Sequence, residues 1–207
     1  MNPDNITIVA FDCDGVMFDT AEANRTYYNR ILHHFNLPPL TNEQFFYTHM
    51  HTVDSSLDYI LPDRILREKA DEVRKTLNYS SLIPFMKIEP GLITLLNKLR
   101  PKYKTAIATN RSDTMDRVIQ EHGLDGCFDL VISARDVERP KPFPDPLIKI
   151  MNHFSAIPEN IIYIGDSELD EQASRAASIP FVAYNNPLLS AALHIKQLRE
   201  IETLLKL

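Results

Sequence analysis

Two aspartates, Asp12 and Asp14, stand two positions apart directly behind the apolar run Ile6, Ile8, Val9, Ala10, Phe11, in the stretch FDCDGVMFDT. A carboxylate at the end of a buried strand is costly to desolvate unless donors or a cation meet it. The pattern recurs far along the chain: Asp166 and Asp170 follow NIIYIG, Thr109 and Asn110 follow YKTAIA, and Lys141 lies between prolines in Arg139-Pro140-Lys141-Pro142. One such aspartate alone is more often a helix cap or a turn former. Several in one crevice repel one another unless they are protonated or joined by a cation. Mg²⁺ suits this inventory, because it takes one or two carboxylates together with waters and substrate phosphate oxygens, whereas zinc would ask for His or Cys. Lys141 adds a fixed positive charge, on a backbone stiffened by its flanking prolines.

For these residues to meet, the chain must carry them to one edge of a sheet. Short apolar, β-branched runs at 6–11, 103–110, 128–134, 160–167 and 180–185 read as buried strands. Helical patterns separate the later ones: Leu92, Leu95, Leu96 and Leu99, then Met115, Val118 and Ile119, then Leu147, Ile148, Ile150 and Met151. The alternation predicts βαβ units, and so an α/β fold with a doubly wound, Rossmann-like parallel sheet. In such a sheet the crevice outside the C-terminal strand ends is where ligands bind, and Asp12 and Asp14, Thr109 and Asn110, and Asp166 and Asp170 fall at such ends. Residues 18–87 break the pattern with helix-compatible stretches at 21–36 and 54–77, which predicts a helical insertion between core segments 1–17 and 88–207. The Glu89-Pro90-Gly91 turn marks the return to the core. A closing helix is expected over 190–206, with Leu193, Leu198, Ile201, Leu204 and Leu205 on one stripe. Gly15 and Gly165, two of only five glycines, touch the aspartates, and close backbone approach to a ligand is one reason to place glycine there.

Composition narrows the classes. The chain has 207 residues, 44% hydrophobic and 24% charged, enough for one sizeable core with a smaller insertion. A formal charge of −6 without clustered Lys and Arg argues against a nucleic-acid partner. No apolar run approaches the roughly 18–20 residues of a membrane helix, so no membrane partner is expected. Two cysteines, Cys13 and Cys127, suggest neither a disulfide framework nor a zinc site, and a reducing cytoplasm fits them best. There is no G-x-G-x-x-G and no P-loop, which disfavours a Gly-rich nucleotide cradle.

With these segments in hand, the sequence resembles the haloacid dehalogenase superfamily of phosphohydrolases, and is most similar to its phosphoglycolate phosphatase and β-phosphoglucomutase-like branch. Asp12-Cys13-Asp14-Gly15-Val16 looks like the first family motif, Thr109-Asn110 the second, Lys141 the third, and Gly165-Asp166 through Asp170 the fourth. The insertion falls where that branch carries a helical cap. The resemblance implies Mg²⁺-dependent hydrolysis of a small phosphorylated metabolite. Asp12 would be the nucleophile forming an aspartyl-phosphate, and Asp14 the general acid and base, with a pKa raised by its neighbours. The Asp12 carboxylate, the Asp14 backbone carbonyl and Asp166 would hold the metal, with Asp170 supporting that shell. Thr109 and Lys141 would steady the phosphoryl group and its charge, while Asn110 and Arg111 continue the cradle towards the substrate. An acid at the position of Asp14 argues against carbon–halogen chemistry.

The insertion offers Arg25, Tyr28, Asn29, His33, His49 and His51 as substrate contacts. His49 and His51 are two apart, a spacing that does not share one helix face and so discounts a metal role. A phosphosugar mutase using the same aspartyl-phosphate stays open as an alternative. A phospho-receiver module and a non-catalytic scaffold are less favoured, the first because of motif order and the cap-sized insertion, the second because a scaffold has no need of clustered carboxylates. A monomer or a homodimer is expected.

Overall fold

Strand β1 (Ile8–Phe11) is buried at every position, and on either side of it lie strands buried almost as fully: β4 (Lys104–Ala108) and β6 (Ile161–Gly165). The computed structural model describes residues 1–77 and 81–207; residues 78–80, inside the expected insertion, lie outside the described residues. The main sheet has six parallel strands in the order β5-β4-β1-β6-β7-β8, with β5 at Leu130–Ile132, β7 at Phe181–Tyr184 and β8 at Leu193–Ile195. The chain winds from β1 out to β5, then returns past β1 to β6 and on to β8. This reversal opens a crevice above the C-terminal end of β1.

Both faces of the sheet are covered, which is why its strands read as continuous apolar runs and not as alternation. Ile8, Ala10, Ala106 and Tyr163 pack under α7 (Asp145–His153) and α8 (Glu168–Ala176). Val9, Phe11, Ile107 and Ile164 pack on the other face under α5 (Leu92–Leu99), α6 (Met115–Glu121) and α9 (Glu200–Leu205). Burying side chains such as Leu95 and Leu96, both at 0% exposure, is worth roughly 1.5–3 kcal/mol each.

The closing helix expected over 190–206 is corrected: only Glu200–Leu205 is α-helical, and Leu193–Ile195 is the sheet's last strand. Leu193 and Ile195 alternate with exposed His194 and pair with Val182 and Tyr184, so the segment covers the open edge of β7. A parallel edge strand satisfies backbone groups that a helix would have left unmet.

A short antiparallel ribbon, β2 (Phe18–Asp19) with β3 (Lys87–Ile88), stands between the sheet and a helical segment. That segment holds α1 (Ala21–His34), α2 (Asn42–Met50), α3 (Val53–Ile60) and α4 (Arg64–Thr76). Local chemistry starts its helices: Thr41 and Gln44 form a capping box on α2, Thr52 caps α3 through Ser55 N, and Asp63 caps α4 through Ile65 N and Leu66 N. Among the described residues, no helix is long and apolar enough to cross a membrane.

Candidate active site

The ladder delivers the site. Ala10 is level with Ala106 and Tyr163, and the Asp12 N–H donates to the Ile164 carbonyl at 2.8 Å, so the chain leaves the sheet with Asp12 between the ends of β4 and β6. Thr109 N donates in the same way to Ile132 O at 3.0 Å. Strand ends far apart in sequence thus open into one cavity of about 380 Å³, lined by Asp12, Asp14, Thr109, Asn110, Arg111, Lys141 and Asp166.

Lys141 is the electrostatic centre. Its ammonium, 3% exposed, lies 2.8 Å from Asp12 Oδ1 and 2.6 Å from Asp170 Oδ1, and donates to the Tyr163 hydroxyl at 3.0 Å. Burial works against its charge, but Asp12 and Asp170 outweigh burial and raise its pKa. Asp170 sits at 0% exposure with both oxygens engaged: Oδ1 accepts from Lys141 and Tyr163, and Oδ2 from Ser167 N and Oγ. Burial opposes its ionisation, yet Lys141 and those hydrogen bonds hold its carboxyl below the usual range. With its acceptor sites filled, Asp170 supports Lys141 and the Ser167 turn from behind.

Asp12 and Asp166 are the strained carboxylates. Burial lifts the Asp12 carboxyl to about 7; Lys141 pulls against the rise, while Asp170 and Asp14 add to it. Burial, then the like charges of Asp170 and Asp12, push Asp166 well above the usual carboxylate range. Carboxylate oxygens of Asp12, Asp166 and Asp170 lie within 4.8 Å of one another. These oxygens carry more negative charge than Lys141 balances, which a hard divalent cation would relieve, so Asp12 and Asp166 fit Mg²⁺, with the fully engaged Asp170 supporting them from behind. Cys13 offers no competing soft ligand, since burial drives its thiol pKa well up.

Asp14 departs from expectation. Arg111 grips it with a two-pronged fork, Nε to Oδ2 at 2.8 Å and Nη2 to Oδ1 at 2.9 Å, and the Thr20 hydroxyl donates to Oδ1. Burial favours the protonated acid, but the Arg111 charge and its hydrogen bonds prevail and hold the carboxyl at about 2. The expectation of a raised pKa at Asp14 is therefore corrected: the neighbour that matters is a guanidinium, not another carboxylate. Arg111, expected in the substrate cradle, lines the cavity with its fork turned onto Asp14.

Of the six residues expected to face substrate from the insertion, Tyr28, His49 and His51 line the cavity. The others lie outside the lining: Arg25 stacks over Phe45 at 4.1 Å, Asn29 accepts from Leu40 N at 2.8 Å, and His33 sits in the last turn of α1. Burial lowers the His49 pKa against the pull of Asp14. Sequence reasoning passed over Asn24, which donates to Asp14 Oδ1 at 3.4 Å and lies 3.1 Å from His49 Nδ1. Tyr27, one turn later, also lines the cavity, and the i, i+3 spacing from Asn24 was the available signal. Tyr163 was passed over as well, because a tyrosine inside an apolar strand reads as core; its hydroxyl reaches Lys141, Asp170 and the Ala108 carbonyl.

Gly15 follows from this crowding. Its φ is +80°, and a Cβ there would sit 2.1 Å from Asp166 Oδ2. Gly15→Ala is expected to cost about 2–3 kcal/mol through backbone strain and the displaced carboxylate. Thermal denaturation should show a fall of roughly 4–12 °C; an unchanged midpoint would remove the close approach as the reason for glycine.

Comparison with known proteins agrees with this architecture. Residues 9–184 match the family of haloacid dehalogenase-like hydrolases. A HAD-superfamily hydrolase (subfamily IA, variant 1) from Geobacter sulfurreducens is 38% identical, with 97% of both chains covered and a TM-score of 0.80. Phosphoglycolate phosphatase of Salmonella typhimurium is 25% identical over 209 residues, covering 86% of this chain and 81% of that one. β-Phosphoglucomutase of Clostridium difficile shares the fold, with a TM-score of 0.84, 21% identity and 97% of each chain covered. The chain belongs to the haloacid dehalogenase-like hydrolase family, in its phosphoglycolate phosphatase and β-phosphoglucomutase-like branch.

Proposed function

We propose that this enzyme is a phosphatase that hydrolyses a small phosphate monoester with Mg²⁺, in two displacements through a phosphoryl group carried on Asp12. The observation that carries the reading is the carboxylate of Asp12 held at the cavity floor, its Oδ1 accepting from Lys141 at 2.8 Å and from the Cys13 N–H at 2.7 Å. A carboxylate with one oxygen held by two donors is fixed in orientation, as a nucleophile requires. In the first displacement an Asp12 oxygen bonds to phosphorus as the bond to the ester oxygen breaks, the leaving oxygen taking a proton that Asp14 has drawn from solvent once free of the Arg111 fork. In the second, water attacks the same phosphorus, and inorganic phosphate and free Asp12 result.

Mg²⁺, when bound, would draw charge off the transferring phosphoryl oxygens. Asp12 and Asp166 would hold it through carboxylate oxygens and Asp14 through its backbone carbonyl, with Asp170 behind Lys141. Lys141 balances the charge on Asp12 and the phosphoryl group together, and Thr109, 1% exposed at the end of β4, faces the same space. Asp14 can take the proton of the attacking water only once the Arg111 fork releases it, because the gripped carboxyl, held at about 2, is a weak base. Serving as the acid of the first displacement requires the Arg111 fork to let go of it.

Residues 18–87 act in this reading as a cap on a core of 1–17 and 88–207, supplying the Tyr28, His49 and His51 wall that excludes water from the leaving group. Phosphoglycolate heads the list of substrates to try, in keeping with the relatives. A monomer or homodimer in a reducing cytoplasm suits the two free cysteines.

Phosphate release from a panel of small esters, phosphosugars and phosphoglycolate among them, tests the reading with and without Mg²⁺. Mg²⁺-dependent release is expected; silence across the panel with sugar-phosphate isomerisation would favour a mutase. Added Mg²⁺ is expected to raise the melting temperature of the unaltered enzyme, and no longer to do so in Asp166→Ala. An unchanged metal titration would take Asp166 out of the metal's ligands.

A further inference from the structure

The side-chain amide of Asn110 makes two hydrogen bonds that lead in opposite directions. One N–H donates to the Lys141 carbonyl at 3.0 Å, inside the core. The other donates to the Met50 carbonyl at 3.2 Å, at the last residue of α2 in the helical segment. Both donors being spent on carbonyls, the amide's orientation is fixed, and among the described residues its buried Oδ1 meets no partner. An unmatched buried acceptor detracts from stability, so the value of asparagine here lies in its two donors. Few other side chains offer two N–H groups on so short a stem.

The two carbonyls belong to the two halves of the site. Lys141 places the ammonium that bridges Asp12 and Asp170, and Met50 lines the cavity between His49 and His51. We propose that Asn110 is a positioning residue that couples the seating of the helical segment to the placement of Lys141, so that the charge at Asp12 is set only when the Met50 wall is closed over the cavity. Should Met50 move away, one N–H loses its acceptor and the amide is free to turn, loosening its hold on the Lys141 backbone. The inference rests on the roles given above to Asp12 and Lys141, and adds to them a link between wall and nucleophile.

Beryllofluoride with Mg²⁺, which mimics a phosphoryl group on a carboxylate, provides the probe, and hydrogen exchange of the amides of residues 50–53 in the full chain provides the readout. In the unaltered enzyme the probe is expected to slow exchange there several-fold. In Asn110→Ala that slowing should shrink at least threefold, and kcat should fall about tenfold with KM little changed, the pattern of a lost transition-state interaction. Asn110→Ser, which keeps one donor, should fall between the two and guards against an alanine variant that fails to fold. Equal slowing in all three proteins, or a lowered melting temperature as the sole effect, would overturn the coupling. A probe that binds the unaltered enzyme without slowing exchange at 50–53 would sink the inference and leave the mechanism standing. A probe that fails to bind at all would sink both.

Discussion

Asp12→Asn is expected to lower phosphate release by roughly a thousandfold or more, while leaving the fold at least as stable as before. The two effects share one cause. Asp12 is a nucleophile only as a carboxylate, and the amide that replaces it has the same shape without the attacking charge. That same charge is a liability to the fold, because burial raises its pKa from 3.8 to about 7. Such a rise corresponds to about 4 kcal/mol at most. The sign follows from proton binding: between about pH 4 and 7 the folded chain holds a proton on Asp12 that the unfolded chain has released. Stability without divalent cation should therefore fall as pH rises through that window, and Asp12→Asn should flatten the fall. Asp14 contributes with the opposite sign and lower down, its pKa being held at about 2, so its stabilisation is complete above about pH 4 and is lost towards pH 2. Urea denaturation in EDTA at pH 5 and pH 8, beside phosphate-release assays, checks both halves. Residual turnover near that of the unaltered enzyme would overturn the mechanism, and an unchanged pH slope would overturn the strain assigned to Asp12.

Lys141→Ala is expected to cost about 3–5 kcal/mol of stability, because it strands buried carboxylates with no cation beside them. Asp170 is 0% exposed and Asp12 only 10% exposed at the side chain, so water cannot replace the ammonium as it would at a surface. Tyr163 would lose a donor to its hydroxyl at the same time. For a chain of this size the loss corresponds to roughly 6–20 °C in melting temperature. Lys141→Met keeps the aliphatic stem and separates packing from charge: nearly the full loss should persist in it. Mg²⁺ should recover part of that stability by meeting the same carboxylates. A loss below about 1 kcal/mol in both variants, the scale of an exposed ion pair, would mean that the Asp12–Lys141–Asp170 arrangement is solvated and contributes little.

Much of this could be read from residue types and order. The strands that carry Asp12, Thr109 and Asp166 were legible because a parallel sheet covered on both faces admits only apolar runs, which end where polar residues begin. Their placement at one crevice followed from topology alone, since strands joined by helical crossovers all point their C-terminal ends the same way. The helical segment of Ala21–Thr76 was legible from the break in that alternation. The strand Leu193–Ile195 was not, because three residues with a leucine stripe around them fit a helical period as well as an extended one, and only the open edge of β7 decides between them.

Pairing is what tertiary structure alone decided. That Asp14 is gripped by Arg111, 97 residues away, reverses the pKa that nearby carboxylates would suggest, and no spacing rule relates two such positions. The same holds for Tyr163, which reads as core and serves as a hydroxyl between Lys141 and Asp170, and for Asn110, whose two N–H groups find carbonyls in separate parts of the chain. Residue type and order determined which chemical groups reach the crevice, because strand direction and burial follow from local pattern. Which group meets which, and so which carboxylate is ionised and which is strained, depends on distances of a few ångströms between side chains that only the packed fold brings together.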